Sequence, residues 1–341
     1  MRCSLLVVVA MTLAASAGAR DRQSARGGAA IPRGSWNARL LQGERYVGAF
    51  RRARAVLERR PGLVQLRQDL PTVVIPDLHG RRDYLDAVLK TRDPATHRTY
   101  RELLRRGKVQ VVCLGDVMHT EVRGILWRRG MPEAAMRKEM AESLGTLRRI
   151  AELKAAHPEN FHLLRGNHDD VGPACEGPGC GLPRQIAQTR QYLGDAFGHS
   201  MVNELARLFA ALPTAAAGKG FVASHSGPMF AVSKRQVERR ADRALVSLAR
   251  VRVPAFRQLR ARMGGGSDGA LQQVSRALGA APGRDFYIHG HLWARPMTVK
   301  GQEVFFGHPK DRTFLRLDPA ATMQPWSQLF EAGTGRAVPG R

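Results

Sequence analysis

The chain has 341 residues, 43% of them apolar, enough for one large domain or two small ones around a sizeable core, and wholesale disorder is excluded. Lysine and arginine number 54 against 29 acids, a formal charge of +25 that attracts anions such as phosphate esters, nucleic acid or wall polymer. The arginines are scattered through the chain, so the charge supports an anionic partner without naming one.

A positive start precedes the apolar run at 5–17, "LLVVVAMTLAASA", and small residues follow it. This reads as a signal peptide over 1–19, cut after 15–17 or 17–19, and implies a periplasmic or secreted mature protein. The run is shorter than the roughly 20 residues a membrane span requires. No later segment is apolar and long enough to span.

Residues 20–43 read as a flexible leader, and 44–330 as one catalytic domain. A helix is expected over 44–60, ended by Pro61 and Gly62. Apolar strands are expected in "PTVVIPDLHG", "VQVVCLGD", "FHLLRGNHD", "GFVASHSGP" and "DFYIHGH", separated by helical patterns at 81–90, 132–156, 184–197 and 201–211. A helical insertion occupies about 171–212 and a basic helical segment about 231–263. "GGGSDG" at 264–269 reads as a flexible break, and "EVFFGH" with "TFLRLD" as a closing hairpin. Strands alternating with helices give an α/β class.

Cys113 lies in an apolar run and reads as core. Cys175 and Cys180 flank "EGPG"; in an oxidising compartment a disulfide is expected there, the alternatives being free thiols or half a zinc site.

Each of the five strands ends in a loop with ligand-type side chains: Asp77 and His79, Asp116, Asn167 and His168, His225, His289 and His291. Taken singly, each is an ordinary turn. Strand ends on one edge of a sheet converge, however, and five in the same setting point to one metal site.

The segments "PDLHG", "LGDV", "LLRGNHD", "ASHSG" and "HGH" resemble the calcineurin-like metallophosphoesterase superfamily over about residues 71–310. "LLRGNHD" and "FAALPTAAAGKGFVASHSGP" are most similar to its phosphoprotein (Ser/Thr) phosphatase branch. The resemblance implies a four-layer α-β-β-α sandwich of two mixed sheets flanked by helices. It implies two divalent or trivalent metal ions, manganese preferred, iron or zinc as alternatives. Asp77 and His79 would hold the first ion, Asp116 would bridge, and Asn167 and His225 would hold the second. Aligning on Gly290-His291 adds His291; aligning on His-x-His adds His289 too, otherwise a supporting residue. His168 would be the general acid in direct attack by a metal-bridging hydroxide, and Arg165 would brace the loop or hold phosphate. Asp169 or Asp170 could tune His168; the favoured expectation is that both are solvated at the loop end.

The branch pattern Gly-Asp-x-x-Asp-Arg is not kept. The chain reads "GDVMHT", with His119 and Thr120 in place of the Asp that orients the acid and the Arg that clamps phosphate; Arg123 lies three residues on. The expected activity is hydrolysis of phosphate monoesters, phosphoprotein among them. A phosphodiesterase, nucleotidase or dinucleoside-polyphosphate hydrolase could use the same centre. A basic protein binding nucleic acid or wall polymer without turnover is the reading from another class.

Overall fold

The computed structural model describes residues 33–120, 131–172, 183–228, 231–240, 267–281, 285–291, 297–299, 303–305, 312–319 and 329–338. Helix α1 (Arg33–Leu57) buries Tyr46, Phe50, Ala53 and Leu57, spaced three or four residues apart, so one face meets the core. The helix starts at Arg33, which corrects the part of the expected leader over 33–43; residues 20–32 lie outside the described residues. A Cβ on Gly43 would lie 3.2 Å from the Phe197 ring, and Tyr46 meets that ring edge-on at 6.2 Å. Packing against a distant segment extends the helix, and local composition does not report it.

Among the described residues, the strands run β1 (Leu63–Gln65), β2 (Thr72–Ile75), β3 (Gln110–Cys113), β4 (Phe161–Leu163), β5 (Ala215–Gly218), β6 (Phe221–Ser224), β7 (Phe286–His289), β8 (Met297–Val299), β9 (Glu303–Phe305), β10 (Thr313–Leu317) and β11 (Leu329–Glu331). The remaining helices are α2 (Arg82–Lys90), α3 (Tyr100–Arg105), α4 (Glu133–Ala156), α5 (Pro183–Phe197), α6 (His199–Ala211), α7 (Lys234–Glu238) and α8 (Ser267–Ala277). One mixed sheet has the order β1-β5-β6-β7-β9-β8, the other β11-β10-β2-β3-β4.

Strand alternation builds four layers. Val73 and Ile75 of β2 join Val111, Cys113 and Phe161 under the helices α1, α2 and α4. Val74, between them in sequence, turns the other way and meets Val112, Ala223 and Ile288 between the sheets. Leu63, Val222 and Tyr287 on the outer face of the six-stranded sheet pack on Val274 of α8 and Val237 of α7. Each fully buried Val or Ile stabilises the fold by about 1.5–3 kcal/mol relative to exposure. Cys113 is buried, as expected.

Two further expectations need correcting. "EVFFGH" and "TFLRLD" do not form a hairpin: β9 pairs with β7 and β8, while β10 pairs with β2 and β11 in the other sheet. The two strands belong to different sheets, and β10 finds a pairing partner far away in sequence, in β2. "GGGSDG" does not stay irregular to its end, because Ser267 opens α8, whose Leu271 and Val274 bury against the sheet. The basic segment expected over 231–263 is described as far as Arg240; α7 occupies part of it and the rest lies outside the described residues. No described helix is long and apolar enough to cross a membrane.

Lys154 near the end of α4 is 3% exposed, and its Nζ donates to Pro158 O at 2.8 Å. Burial, with Arg60 adding, pushes its pKa down from 10.5 to about 7. Below the folded value the lysine is charged in both states. Between the two values the unfolded chain binds the extra proton, so stability rises with pH across that window. Urea unfolding of wild type and Lys154→Met should show this rise in wild type only; parallel pH curves would refute it.

Candidate metal centre

Ile75, Cys113 and Leu163 are register partners across parallel β2, β3 and β4, so these strands end level. Ser224 and His289 are partners across parallel β6 and β7. The loops that follow all five strands therefore open on the same edge of the sandwich.

Asp116 Oδ2 is the meeting point. It lies 3.3 Å from His225 Nε2 and 3.9 Å from both His79 Nε2 and His168 Nε2. His225 Nε2 also lies 2.9 Å from Asn167 Oδ1 and 3.0 Å from His291 Nδ1. Two groups with ligand-type atoms within 4.8 Å of one another result: Asp77, His79 and Asp116, and Asp116, His225 and His291. Asp116 belongs to both.

The arrangement fits a pair of cations. Asp77 Oδ1 is buried and makes no hydrogen bond among the described residues, facing His225 Nδ1 only at 3.4 Å. The nitrogens of His225 and His291 and the oxygen of Asn167 converge on the same small volume as the Asp116 carboxylate. Lone pairs crowded in this way, nearly out of reach of water, are best satisfied by metal ions. Mixed imidazole, amide and carboxylate donors suit manganese, iron or zinc better than calcium.

The backbone is strained where the ligand-type residues sit. His79, Asp116, His119 and His291 have φ of 44°, 47°, 65° and 65°, a region that costs a residue with a side chain roughly 1–3 kcal/mol. Backbone bonds between the loops hold them there, His79 N donating to Asp116 O at 2.6 Å and Gly80 N to Val117 O at 2.9 Å. Gly166 and Gly290 permit close approach: a Cβ on the first would run into the Asp116 carboxylate and backbone, and on the second into the Asp77 carboxylate.

A supporting layer aims the ligand-type atoms. His79 Nδ1 meets His119 O at 2.8 Å, which leaves Nε2 toward Asp116. His225 Nδ1 meets Leu114 O at 3.2 Å. Asp77 Oδ2 accepts from His291 N at 2.7 Å, and Asp116 Oδ1 from His168 N at 2.8 Å. Arg81 donates to Asp77 O at 2.6 Å and stacks over Tyr84, fixing the β2 loop from behind.

Burial and the close imidazole–carboxylate contacts together set the electrostatics. It pushes the pKa of His168 down to about 4 and that of His291 to about 3. For His225 burial acts in the same direction, but the carboxylates of Asp116 and Asp77 outweigh it and hold the ring above its ordinary value. Burial would raise the Asp116 carboxyl, yet His225 and His168 hold it well below the usual carboxylate range.

His289 is not brought into either group. It shares the strand face of Tyr287, the outer face of its sheet, with ring centroids 6.2 Å apart. A two-residue step along a strand keeps that face, whereas His291 has left the strand and turned with positive φ toward Asp116. His289 is thus placed beside the centre. Arg165 is partly buried and pairs with Asp170 at 3.2 Å, while its backbone N bonds Pro213 O. Arg123, Cys175 and Cys180 lie outside the described residues.

Asp169 corrects the expectation of a solvated loop end. It is fully buried; Oδ1 accepts from Val117 N at 2.9 Å and Met118 N at 3.3 Å, and Oδ2 accepts from Gly166 N at 2.9 Å. Burial, with Asp116 adding, pushes its pKa up to about 6. Sequence reasoning also missed Glu139 of α4, buried and accepting from Thr120 N at 2.5 Å and Ser143 Oγ at 3.3 Å. An acid in a helical pattern gives no signal that its face is the inner one.

A family model described as calcineurin-like phosphoesterase matches residues 70–294. Among solved structures, a protein serine/threonine phosphatase from Saccharomyces cerevisiae with similarity to human phosphatase PP5 is 16% identical, with 87% of this chain and 92% of that chain covered and a TM-score of 0.54. A cold-active protein-tyrosine phosphatase of a psychrophilic Shewanella species is 17% identical, with 76% and 77% covered and a TM-score of 0.38. No curated protein matches the chain.

Proposed function

Because the chain belongs to the calcineurin-like phosphoesterase family and is a hydrolase of phosphate esters, we propose that it hydrolyses phosphate monoesters, phosphoproteins among them, at the centre around Asp116. The observation that carries this is the sharing of Asp116 by two ligand groups, with His168 beside it.

Asp77, His79 and Asp116 would hold one ion, and Asp116, Asn167, His225 and His291 the other. When bound, two such cations activate water as a nucleophile and offset charge on phosphoryl oxygens. Asp116, whose Oδ2 faces both ligand groups, would join the two halves of the site. His168 is held by its own backbone N–H on Asp116 Oδ1, and its Nε2 faces the centre. As the bond from phosphorus to the leaving oxygen breaks, the protonated form of His168 gives that oxygen its Nε2 proton and is left as the neutral ring, to be recharged from solvent. Arg165, on the same loop and paired with Asp170, is the positive charge assigned here to the phosphate. Manganese is the preferred metal, and export through the segment at 1–19 would place the reaction outside the cytoplasm.

Prolonged dialysis against EDTA should abolish hydrolysis of p-nitrophenyl phosphate, and added manganese should restore it. Full activity in excess chelator would overturn the metal centre. Rates on bis-p-nitrophenyl phosphate above those on the monoester would overturn the monoester preference, and a panel of phosphopeptides, nucleotides and sugar phosphates would identify the ester class.

A further inference from the structure

We propose that His119, anchored by Thr189 of α5, is the positioning residue that aims His168 at the leaving group. This rests on the reading of His168 as the proton donor.

The two rings meet nitrogen to nitrogen. His119 Nδ1 lies 3.3 Å from His168 Nδ1, with ring centroids 5.4 Å apart at 61°. The other nitrogen of His119, Nε2, lies 2.8 Å from Thr189 Oγ1. His119 is 1% exposed and Thr189 is fully buried, so water does not compete for either contact. The backbone of His119 is fixed separately. Its N–H donates to Ser143 Oγ at 3.0 Å, its carbonyl takes His79 Nδ1 at 2.8 Å, and its φ is 65°. A strained backbone held from both sides presents the side chain in one direction.

Hydrogen-bond logic gives the pair a direction. With a single ring N–H, an imidazole can donate from one nitrogen and accept at the other. If Nε2–H of His119 donates to Thr189 Oγ1, its Nδ1 lone pair faces His168 and accepts Nδ1–H. His168 then turns Nε2 and its transferable proton toward the centre, and ends the step as a neutral ring that still carries Nδ1–H. The proton leaves Nε2 for the leaving oxygen, and nothing is transferred to His119. An aspartate at this position would orient the acid with a charge; His119 does so with one directional lone pair. That direction is set by Thr189, so the inserted helix α5 becomes part of the catalytic geometry.

The test compares kcat on p-nitrophenyl phosphate, whose leaving group hardly needs a proton, with kcat on an alkyl phosphate, whose leaving group does. In the manganese-loaded enzyme, His168→Ala is the reference and should slow the alkyl ester by at least about 100-fold with a smaller loss on the aryl ester. His119→Ala and Thr189→Val should slow the alkyl ester by about 10- to 100-fold and leave the aryl ester nearly unchanged, with KM and metal content preserved. His119→Asn, which keeps an acceptor near the Nδ1 position, should recover much of the loss. In ¹⁵N-histidine spectra of zinc-loaded protein, the downfield His168 ring N–H proton should persist in wild type and His119→Asn and vanish in His119→Ala.

Equal slowing of both esters by His119→Ala, loss of metal with it, or an unchanged His168 resonance would overturn the proposal. So would a biased His168→Ala beside an unbiased His119→Ala, and that result would leave the acid role of His168 standing. A His168→Ala variant without leaving-group bias would overturn the acid role, and the positioning role with it.

Discussion

Asp116→Asn is expected to lower kcat/KM for an aryl phosphate by about a thousandfold, or roughly 4 kcal/mol of transition-state stabilisation. The substitution changes one atom and one charge. Asparagine keeps the oxygen that accepts from His168 N at 2.8 Å, so the loop after β4 has its anchor and the chain should fold. The lost oxygen is Oδ2, which faces His225, His79 and His168 at 3.3–3.9 Å. An amide NH₂ in its place points hydrogens at imidazole nitrogens and cannot be shared between cations. Metal analysis of the purified variant should show reduced occupancy alongside the lost rate. A variant with full metal content and a rate near wild type would remove Asp116 from the centre.

Asp169→Ala is expected to cost the largest amount of stability of any single change near the site, about 3–6 kcal/mol. Alanine leaves the amides of Gly166, Val117 and Met118 without their acceptor in a site closed to water. Each unsatisfied buried donor costs about 1–3 kcal/mol. Those amides belong to the loops after β3 and β4, which carry Asp116 and Asn167, so activity should fall with stability. Since the loss is comparable to the whole stability of a typical domain, about 5–15 kcal/mol, Asp169→Asn is the companion variant. It keeps one acceptor oxygen and sets an NH₂ against the donor on the other side, and its cost should be smaller but measurable by urea unfolding. Unfolding midpoints equal to wild type for both variants would refute the brace.

The residues that meet at the centre were legible because each follows an apolar strand, and the motifs fixed their order. Asp77, His79, Asp116, Asn167 and His225 needed only the rule that parallel strand ends share an edge. Whether His289 joins His291 was not legible. Both read as histidines beside one glycine, and only the end of β7 and the positive φ of His291 separate them. Helix α3 was missed although Thr99 and Glu102 form a capping box, a readable signal in a segment too short for periodicity.

The sequence by itself determined the α/β class, the strand-loop pattern and the chemistry of the donor atoms, because these follow from local periodicity and residue type. Only the tertiary structure decided that α1 begins at Arg33, that β9 and β10 lie in different sheets, that Asp169 is buried, and that His119 lies between Thr189 and His168. In each of these the deciding partner is remote along the chain: Phe197 for α1, β2 for β10, Val117 for Asp169, Thr189 for His119. Such contacts form once folding has closed the chain between them, and no pattern within a short window records which residues they join.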